Sequence, residues 1–74
     1  MTKEYLATRK KFTPEPGRIY RHSTSGSCYR CTGIQGNGTA TLRSEGGWTF
    51  TAHGCGVYED GRIDWDYSTG GRFE

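Results

Sequence analysis

The chain has 74 residues and a formal net charge of +2, from ten Lys or Arg against eight Asp or Glu. A chain of this length forms a single domain with a small core, which argues against two domains and a deep substrate cavity, so we expect no enzyme. No stretch is long and apolar enough to span a membrane, and three cysteines without an export signal fit reduced thiols, so we expect a cytoplasmic protein.

The N-terminal residues 1–16 differ in character from the rest of the chain. They carry a basic run at positions 9–11 and end in an extended segment set by Pro14 and Pro16. A single helical turn near the start is unstable without tertiary support. We interpret this segment as a flexible basic N-terminal arm, with an edge strand as the alternative, and residues 17–74 as a single small β-barrel domain.

Three short strands are predicted next, at residues 18–22, 28–34 and 39–43. Their residues favour extended structure, and polar or glycine-containing stretches separate them. The link between the second and third contains Asn37 and Gly38, which suit a tight turn with positive φ. This part of the chain therefore predicts hairpins.

The clearest predicted strand is residues 48–53. Trp48, Phe50 and Ala52 alternate with more polar residues, a period of two that predicts one buried face. Leu, Ile and Val are few in this chain, so large rings have to supply most of the core. We expect that core to contain Trp48, Phe50, Trp65 and some of Tyr20, Tyr29, Tyr58 and Tyr67.

The C-terminal part predicts one more hairpin. Residues 57–58 and 62–67 flank Asp60 and Gly61, a dipeptide that favours a two-residue turn, and residues 68–71 are interpreted as a closing turn. Five to six short strands at this spacing predict an all-β fold, either a small SH3-like barrel or a strongly curled antiparallel meander.

Several stretches carry a resemblance to a group of known sequences. The motif GWTFTAHG at 47–54 and YEDGRIDWDYS at 58–68, with GRIY at 17–20 and YRC at 29–31, resembles small uncharacterised proteins encoded in prophages and conjugative elements of Gram-positive gut bacteria. The resemblance covers about residues 17–74, and the strand order is similar to that of SH3-like barrels. It implies a mobile-element accessory protein and carries over no catalytic or binding residue.

The first interaction hypothesis is protein binding. Small barrels accept varied protein partners, and exposed Trp and Tyr dominate binding hot spots. An acidic rim beside such rings would favour a basic partner. This interpretation, which we expect to be the main function, uses a candidate surface of Tyr58, Asp64, Trp65, Asp66, Tyr67 and Phe73.

The alternative is nucleic-acid binding. Residues 1–43 hold eight Lys or Arg and two acids, whereas residues 44–74 hold two Arg and six acids. Arginine binds phosphate bidentately and exposed rings stack on bases. Against this, the pI of about 8.5 is below that of a dedicated nucleic-acid domain. The candidate face consists of Arg18, Arg21, Arg30, Arg43 and Tyr20.

A zinc-stabilised domain is a third and less favoured hypothesis. Cys28, Cys31, His53 and Cys55 are ligand types that zinc accepts. However, Cys28 and Cys31 lie three apart in a predicted strand, which points them to opposite faces. We therefore expect no metal and no cofactor, with Cys31 as a small core residue.

Two catalytic arrangements are also weighed and rejected. His53 and Cys55 are two residues apart on a strand, which separates their side chains by about 6–7 Å, beyond the reach of proton transfer. Asp64 and Asp66 have the same spacing and are interpreted as solvated charges on a sheet edge. The sequence therefore predicts no catalytic residue and no membrane partner.

Overall fold

The computed structural model describes residues 9–73, which form strands and turns without a helix. The strands lie in two antiparallel sheets, and the prediction of an all-β fold is confirmed. Their order in the larger sheet is β2-β3-β4-β5-β8 and in the smaller sheet β1-β6-β7. The strands are β1 Lys10–Lys11, β2 Ile19–Arg21, β3 Cys28–Gly36, β4 Thr39–Ser44, β5 Trp48–His53, β6 Gly56–Val57, β7 Ile63–Asp64 and β8 Tyr67–Phe73.

The centre of the larger sheet is a meander made by local hairpins. Gly38 and Gly47, in the turns after β3 and β4, have φ of 70° and 92°, values that suit glycine. The last strand, β8, then returns to pair with β5, so the sheet is completed by a contact between residues distant in sequence.

The smaller sheet includes part of the segment predicted as a flexible arm. Lys10 pairs with Val57 and Lys11 with Gly56, and the Phe12 amide donates a hydrogen bond to the Cys55 carbonyl at 3.1 Å. Residues 1–8 lie outside the described residues. Lys10 and Lys11 thus form an edge strand, which was the alternative for this segment, and the smaller sheet begins before residue 17.

The core is formed by one face of β3, β4 and β5 and by two residues from the part of the chain that forms the smaller sheet. Its buried residues are Cys31, Ala40, Leu42, Phe50, Ala52, Cys55 and Ile63. Tyr29, Phe50 and Trp65 contact one another, with ring centroids 5.3 to 5.6 Å apart. The prediction of rings in the core is therefore confirmed for these three and for Tyr58, which is 4% exposed, and Tyr20 packs against the core.

Trp48 corrects the predicted core. Its side chain is 41% exposed and packs on Phe73, with the ring centroids 4.9 Å apart. The ring also lies against Gly71, where a Cβ atom would collide with it. The alternation from Trp48 to Ala52 predicts the correct face of β5. Trp48 is the first residue of this strand, however, and its ring stays partly exposed there.

A bulge in β8 explains the second difference from the predicted strands. Thr49 pairs with Arg72 and Thr51 with Thr69, so Gly70 and Gly71 together oppose one residue of β5. Both glycines have positive φ, 67° and 147°. The predicted closing turn at 68–71 is therefore a bulge within a strand, and the predicted strand 62–67 is divided between β7 and β8.

Arg9 joins the smaller sheet to the C-terminal half of the chain. Its Nε donates to Asp64 Oδ1 at 2.6 Å, and its Nη2 donates to the Gly54 carbonyl at 2.8 Å. The Tyr58 hydroxyl donates to the other Asp64 oxygen at 2.6 Å. The hydrogen bond with Asp64 raises the pKa of Arg9. We call Arg9, Asp64 and Tyr58 the Arg9 clasp.

Candidate nucleic-acid interface

A single cross-strand row brings three arginines together on the larger sheet. Ile19 pairs with Arg30, Arg30 with Arg43, Arg43 with Thr49, and Thr49 with Arg72. Directly paired residues project to the same face. With strands about 4.8 Å apart, the row spans about 19 Å from β2 to β8. We call Arg30, Arg43 and Arg72 the arginine row, and the side of the sheet that carries it the outer face.

The arginine row is unfavourable for the fold by itself. Arg30 and Arg43 are directly opposite each other, and like charges in that position destabilise an antiparallel pair. All three arginines are exposed to solvent. The paired positions of this row from β2 to β8 hold neither Asp nor Glu. The row is therefore a concentrated positive charge directed at solvent.

An open groove of about 500 Å³ lies beside the row. Ile19, Arg30 and Arg43 are in its lining, and so is Glu45 from the turn after β4. Ile19 is 60% exposed, which adds an apolar surface next to the guanidinium groups. The groove combines apolar and cationic walls, which suits a ligand with an aromatic part and a negative charge.

Thr49 lies in the row between Arg43 and Arg72. It is only 8% exposed, because the longer arginine side chains flank it. Within residues 9–73, its buried hydroxyl Oγ1 has no hydrogen-bond partner. A buried hydroxyl without a partner is costly, so Thr49 adds a second unfavourable feature to the row.

Hydroxyl groups form the next row along the outer face. Thr41 pairs with Thr51, and Thr51 with Thr69. The Gln35 side-chain amide donates to Thr41 Oγ1 at 2.8 Å and to Thr51 Oγ1 at 3.0 Å. The outer face beyond the arginines is thus polar and held in place by hydrogen bonds.

His53 and Tyr67 form the third row. They pair across β5 and β8, and their rings are stacked with centroids 4.5 Å apart and planes 6° from parallel. His53 Nε2 lies 2.7 Å from Thr69 Oγ1, which fixes the imidazole ring. Tyr67 is 59% exposed, so an aromatic ring remains open to solvent here.

Some of the residues predicted for a nucleic-acid face lie on the same side of the larger sheet. By strand alternation, Arg21 shares the outer face with Ile19, and its guanidinium donates to the Gly26 carbonyl at 3.1 Å. Arg18 instead pairs with Glu15 at 3.4 Å. Arg21, Arg30 and Arg43 are therefore brought to one side, and Arg18 is not.

Tyr20 is the main correction to that face. Its hydroxyl accepts a hydrogen bond from the Glu15 amide at 2.9 Å, and its ring packs against Phe12 with centroids 5.4 Å apart. The ring is half-buried against the core, because Tyr20 alternates with the outward Ile19. It is not placed to stack on a ligand of the outer face.

The predicted protein-interaction surface is dispersed. Tyr58 is 4% exposed and its hydroxyl is bound to Asp64, so its inclusion was wrong. Trp65 is half-buried in the aromatic core. Asp64 and Asp66 lie within 2.6 and 3.4 Å of Arg9. The chain needs these side chains for its own packing.

Tyr67 and Phe73 are the exposed rings left from that surface. They lie at opposite ends of β8, and the bulge separates them. Phe73 is 74% exposed and contacts Trp48, whereas Tyr67 contacts His53. The six predicted residues therefore do not form one continuous patch.

The four candidate zinc ligands do not converge. Cys31 and Cys55 are buried, Cys28 is half-buried beside the groove, and His53 is on the outer face with Tyr67. Across residues 9–73, no group of three or more His, Cys, Asp or Glu is arranged to hold a metal ion. Burial raises the pKa of Cys31, and it raises that of Cys55 to about 11, so both thiols stay protonated at neutral pH.

Comparison with known proteins gave no match, whether with family models, with curated proteins or with solved structures. The resemblance to mobile-element proteins and to SH3-like barrels therefore stays a prediction. In the described part of the chain, no helix has the length and apolarity needed to cross a membrane.

Sequence reasoning missed Arg72, Thr49 and the His53–Tyr67 stack. Each depends on the pairing of β5 with β8, which joins residues about twenty positions apart. The available signal was the alternation of Thr49, Thr51 and His53 along β5, which indicated a polar face without its partner.

Proposed function

We propose that this protein is a non-enzymatic nucleic-acid-binding module whose outer face contacts the phosphate backbone. The observation that carries the proposal is the arginine row, three guanidinium groups aligned across the sheet with Arg30 directly opposite Arg43. Arginine recognises phosphate through two parallel hydrogen bonds, and phosphate contacts supply most of the non-specific affinity of such proteins.

The distribution of charge supports the same function. Ion pairs occupy several acids away from the outer face, namely Asp64 and Asp66 with Arg9 and Glu15 with Arg18. These three acids are thus held elsewhere, whereas Glu45 lines the groove beside the arginine row. A polyanion approaching the outer face meets mainly positive charge, which increases the rate of association.

The experiment is a binding titration with a fluorescein-labelled oligonucleotide, followed by fluorescence anisotropy at two salt concentrations. If three phosphates are contacted, affinity should fall about 20- to 40-fold between about 50 and 200 mM salt. Absence of binding at the lower salt would remove the proposal.

Matched variants locate the contact. Replacing Arg30→Ala should weaken binding and reduce the salt dependence by about one phosphate contact. Arg62→Ala removes the same charge far from the outer face, where Arg62 lies 3.6 Å from Asp60, and should leave affinity nearly unchanged. Equal losses in both variants would indicate attraction by net charge and not by this face.

A second candidate function is protein binding at the Trp48–Phe73 contact. Phe73 is the more exposed of the two rings, and buried aromatic anchors are typical of protein interfaces. The test compares wild type and Phe73→Ser as baits in a pull-down. A partner that binds wild type and not the variant supports this candidate, and a partner retained equally by both assigns the contact to another surface.

A further inference from the structure

We propose that the outer face selects single-stranded over duplex nucleic acid, with Tyr67 as the ring on which an unpaired base stacks. This inference rests on the proposed function, because it assumes that the outer face binds nucleic acid. The carrying observation is a second feature of that face, the stacked pair of Tyr67 and His53.

The stacked pair is a prepared platform for a flat ligand. The His53 ring covers one side of Tyr67 at 4.5 Å and is itself held by Thr69. Tyr67 is nevertheless 59% exposed, so much of its ring is open to solvent. Because two rings are already parallel, a base that stacks on Tyr67 extends an existing stack without reordering a side chain.

The platform and the arginine row are placed to act on one ligand. Thr49 and His53 are four residues apart on β5, which puts the two features about 13 Å apart along the strand. The row of threonine hydroxyls lies between them on the same face. A strand whose phosphates contact the arginines can therefore extend over the threonines and present a base to Tyr67.

A duplex cannot use this platform in the same way. Its bases are paired and stacked on both sides, so a protein ring reaches a base only after the base is turned out of the helix. A duplex would therefore contact the arginine row alone, whereas a single strand would contact both features.

The acid nearest in sequence does not oppose this arrangement. Asp66 precedes Tyr67, and its carboxylate lies 3.4 Å from Arg9 and close to Gly54, away from the His53–Tyr67 stack. Its charge is therefore partly balanced by Arg9 and does not lie on the stacking side of the ring.

The experiment measures the affinity of the whole protein for a labelled thymidine oligonucleotide of about 12 nucleotides and for a duplex of the same length. Tyr67→Leu should lower single-strand affinity about five-fold or more and leave duplex affinity unchanged. Tyr67→Phe should retain both affinities. Phe73→Leu, which removes another exposed ring from β8, is the matched control and should change neither.

Arg30→Ala, measured with both ligands, separates the two proposals. If Arg30→Ala weakens both ligands and Tyr67→Leu weakens only the single strand, both proposals are supported. If Arg30→Ala weakens both ligands but Tyr67→Leu has no effect, or lowers both affinities equally, the proposed function stands and strand selection is overturned. If Arg30→Ala weakens neither ligand, both proposals fail.

Discussion

Arg9, beside the smaller sheet, and Arg30, on the larger sheet, have opposite electrostatic surroundings. Arg9 is half-buried and contacts two carboxylates and a carbonyl, which connects the residue before β1 to β7 and to the segment that leads into β8. Arg30 is exposed on the larger sheet and faces another arginine. The same side chain therefore compensates charge in one region and accumulates it in the other.

This difference separates charges that are paired within the fold from charges that are exposed on the larger sheet. A partly buried charge needs a partner. When one partner of a fully buried ion pair is removed, the free energy of unfolding falls by about 3–5 kcal/mol, because the other charge is left unpaired. Like charges directly opposite each other in a sheet, as Arg30 and Arg43 are, repel and are slightly unfavourable. We expect the two regions to respond differently to the loss of one charge, and measurements on Asp64 and Arg30 test this.

The largest effect is expected at the clasp. Asp64→Ala removes the acceptor of both Arg9 and the Tyr58 hydroxyl, so the free energy of unfolding should fall by about 2–4 kcal/mol in urea denaturation. The control is Glu15→Ala, whose pair with Arg18 is mostly exposed and should be worth about 0.5 kcal/mol or less. Equal effects would contradict the special role of the clasp.

An intermediate effect is expected in the core at high pH. Burial raises the pKa of Cys55 from 9.0 to about 11. The unfolded thiol ionises first, so this contribution to stability is complete below pH 9 and is lost as the pH rises toward about 11. The urea midpoint of wild type should therefore fall more steeply over this range than that of Cys55→Ala. Parallel curves would show that Cys55 is not the group responsible.

The smallest effect on stability is expected at the arginine row. Arg30→Ala relieves the repulsion from Arg43, so the free energy of unfolding should stay the same or rise by up to about 0.5 kcal/mol. Arg9→Ala, measured in parallel, should lower it clearly. A loss of more than about 1 kcal/mol in Arg30→Ala would mean that the row holds the fold, and the contrast between the two regions would be wrong.

The parts of this structure that the sequence predicts are those set by local patterns. The alternation around Phe50 predicts its burial, and the turn at Asn37 and Gly38 predicts the hairpin, because both depend on neighbouring residues. The Arg9 clasp joins residues 55 positions apart, and no local pattern reports such a contact. The residues that share the outer face were likewise predicted only in part.

Arg72 and Tyr20 show why. Arg72 joins the row only because a bulge sets the register of β8, and a sequence rich in glycine at that point is equally typical of a turn. Composition alone places Tyr20 with the arginines. In the structure it pairs with Tyr29, and both rings pack against the core. Side-chain direction depends on register, which a count of basic and aromatic residues does not contain.

The two adjoining glycines of β8 also affect how copies of this protein behave beside one another. β8 is an edge strand of the larger sheet, and a straight, flat edge strand can form backbone hydrogen bonds with a strand of a neighbouring chain. Gly70 and Gly71 have φ of 67° and 147°, so the outward amides and carbonyls of β8 lack the regular spacing that pairing with another strand requires. We therefore expect the kink to disfavour strand-to-strand self-assembly at high concentration, although β8 contains neither lysine nor proline.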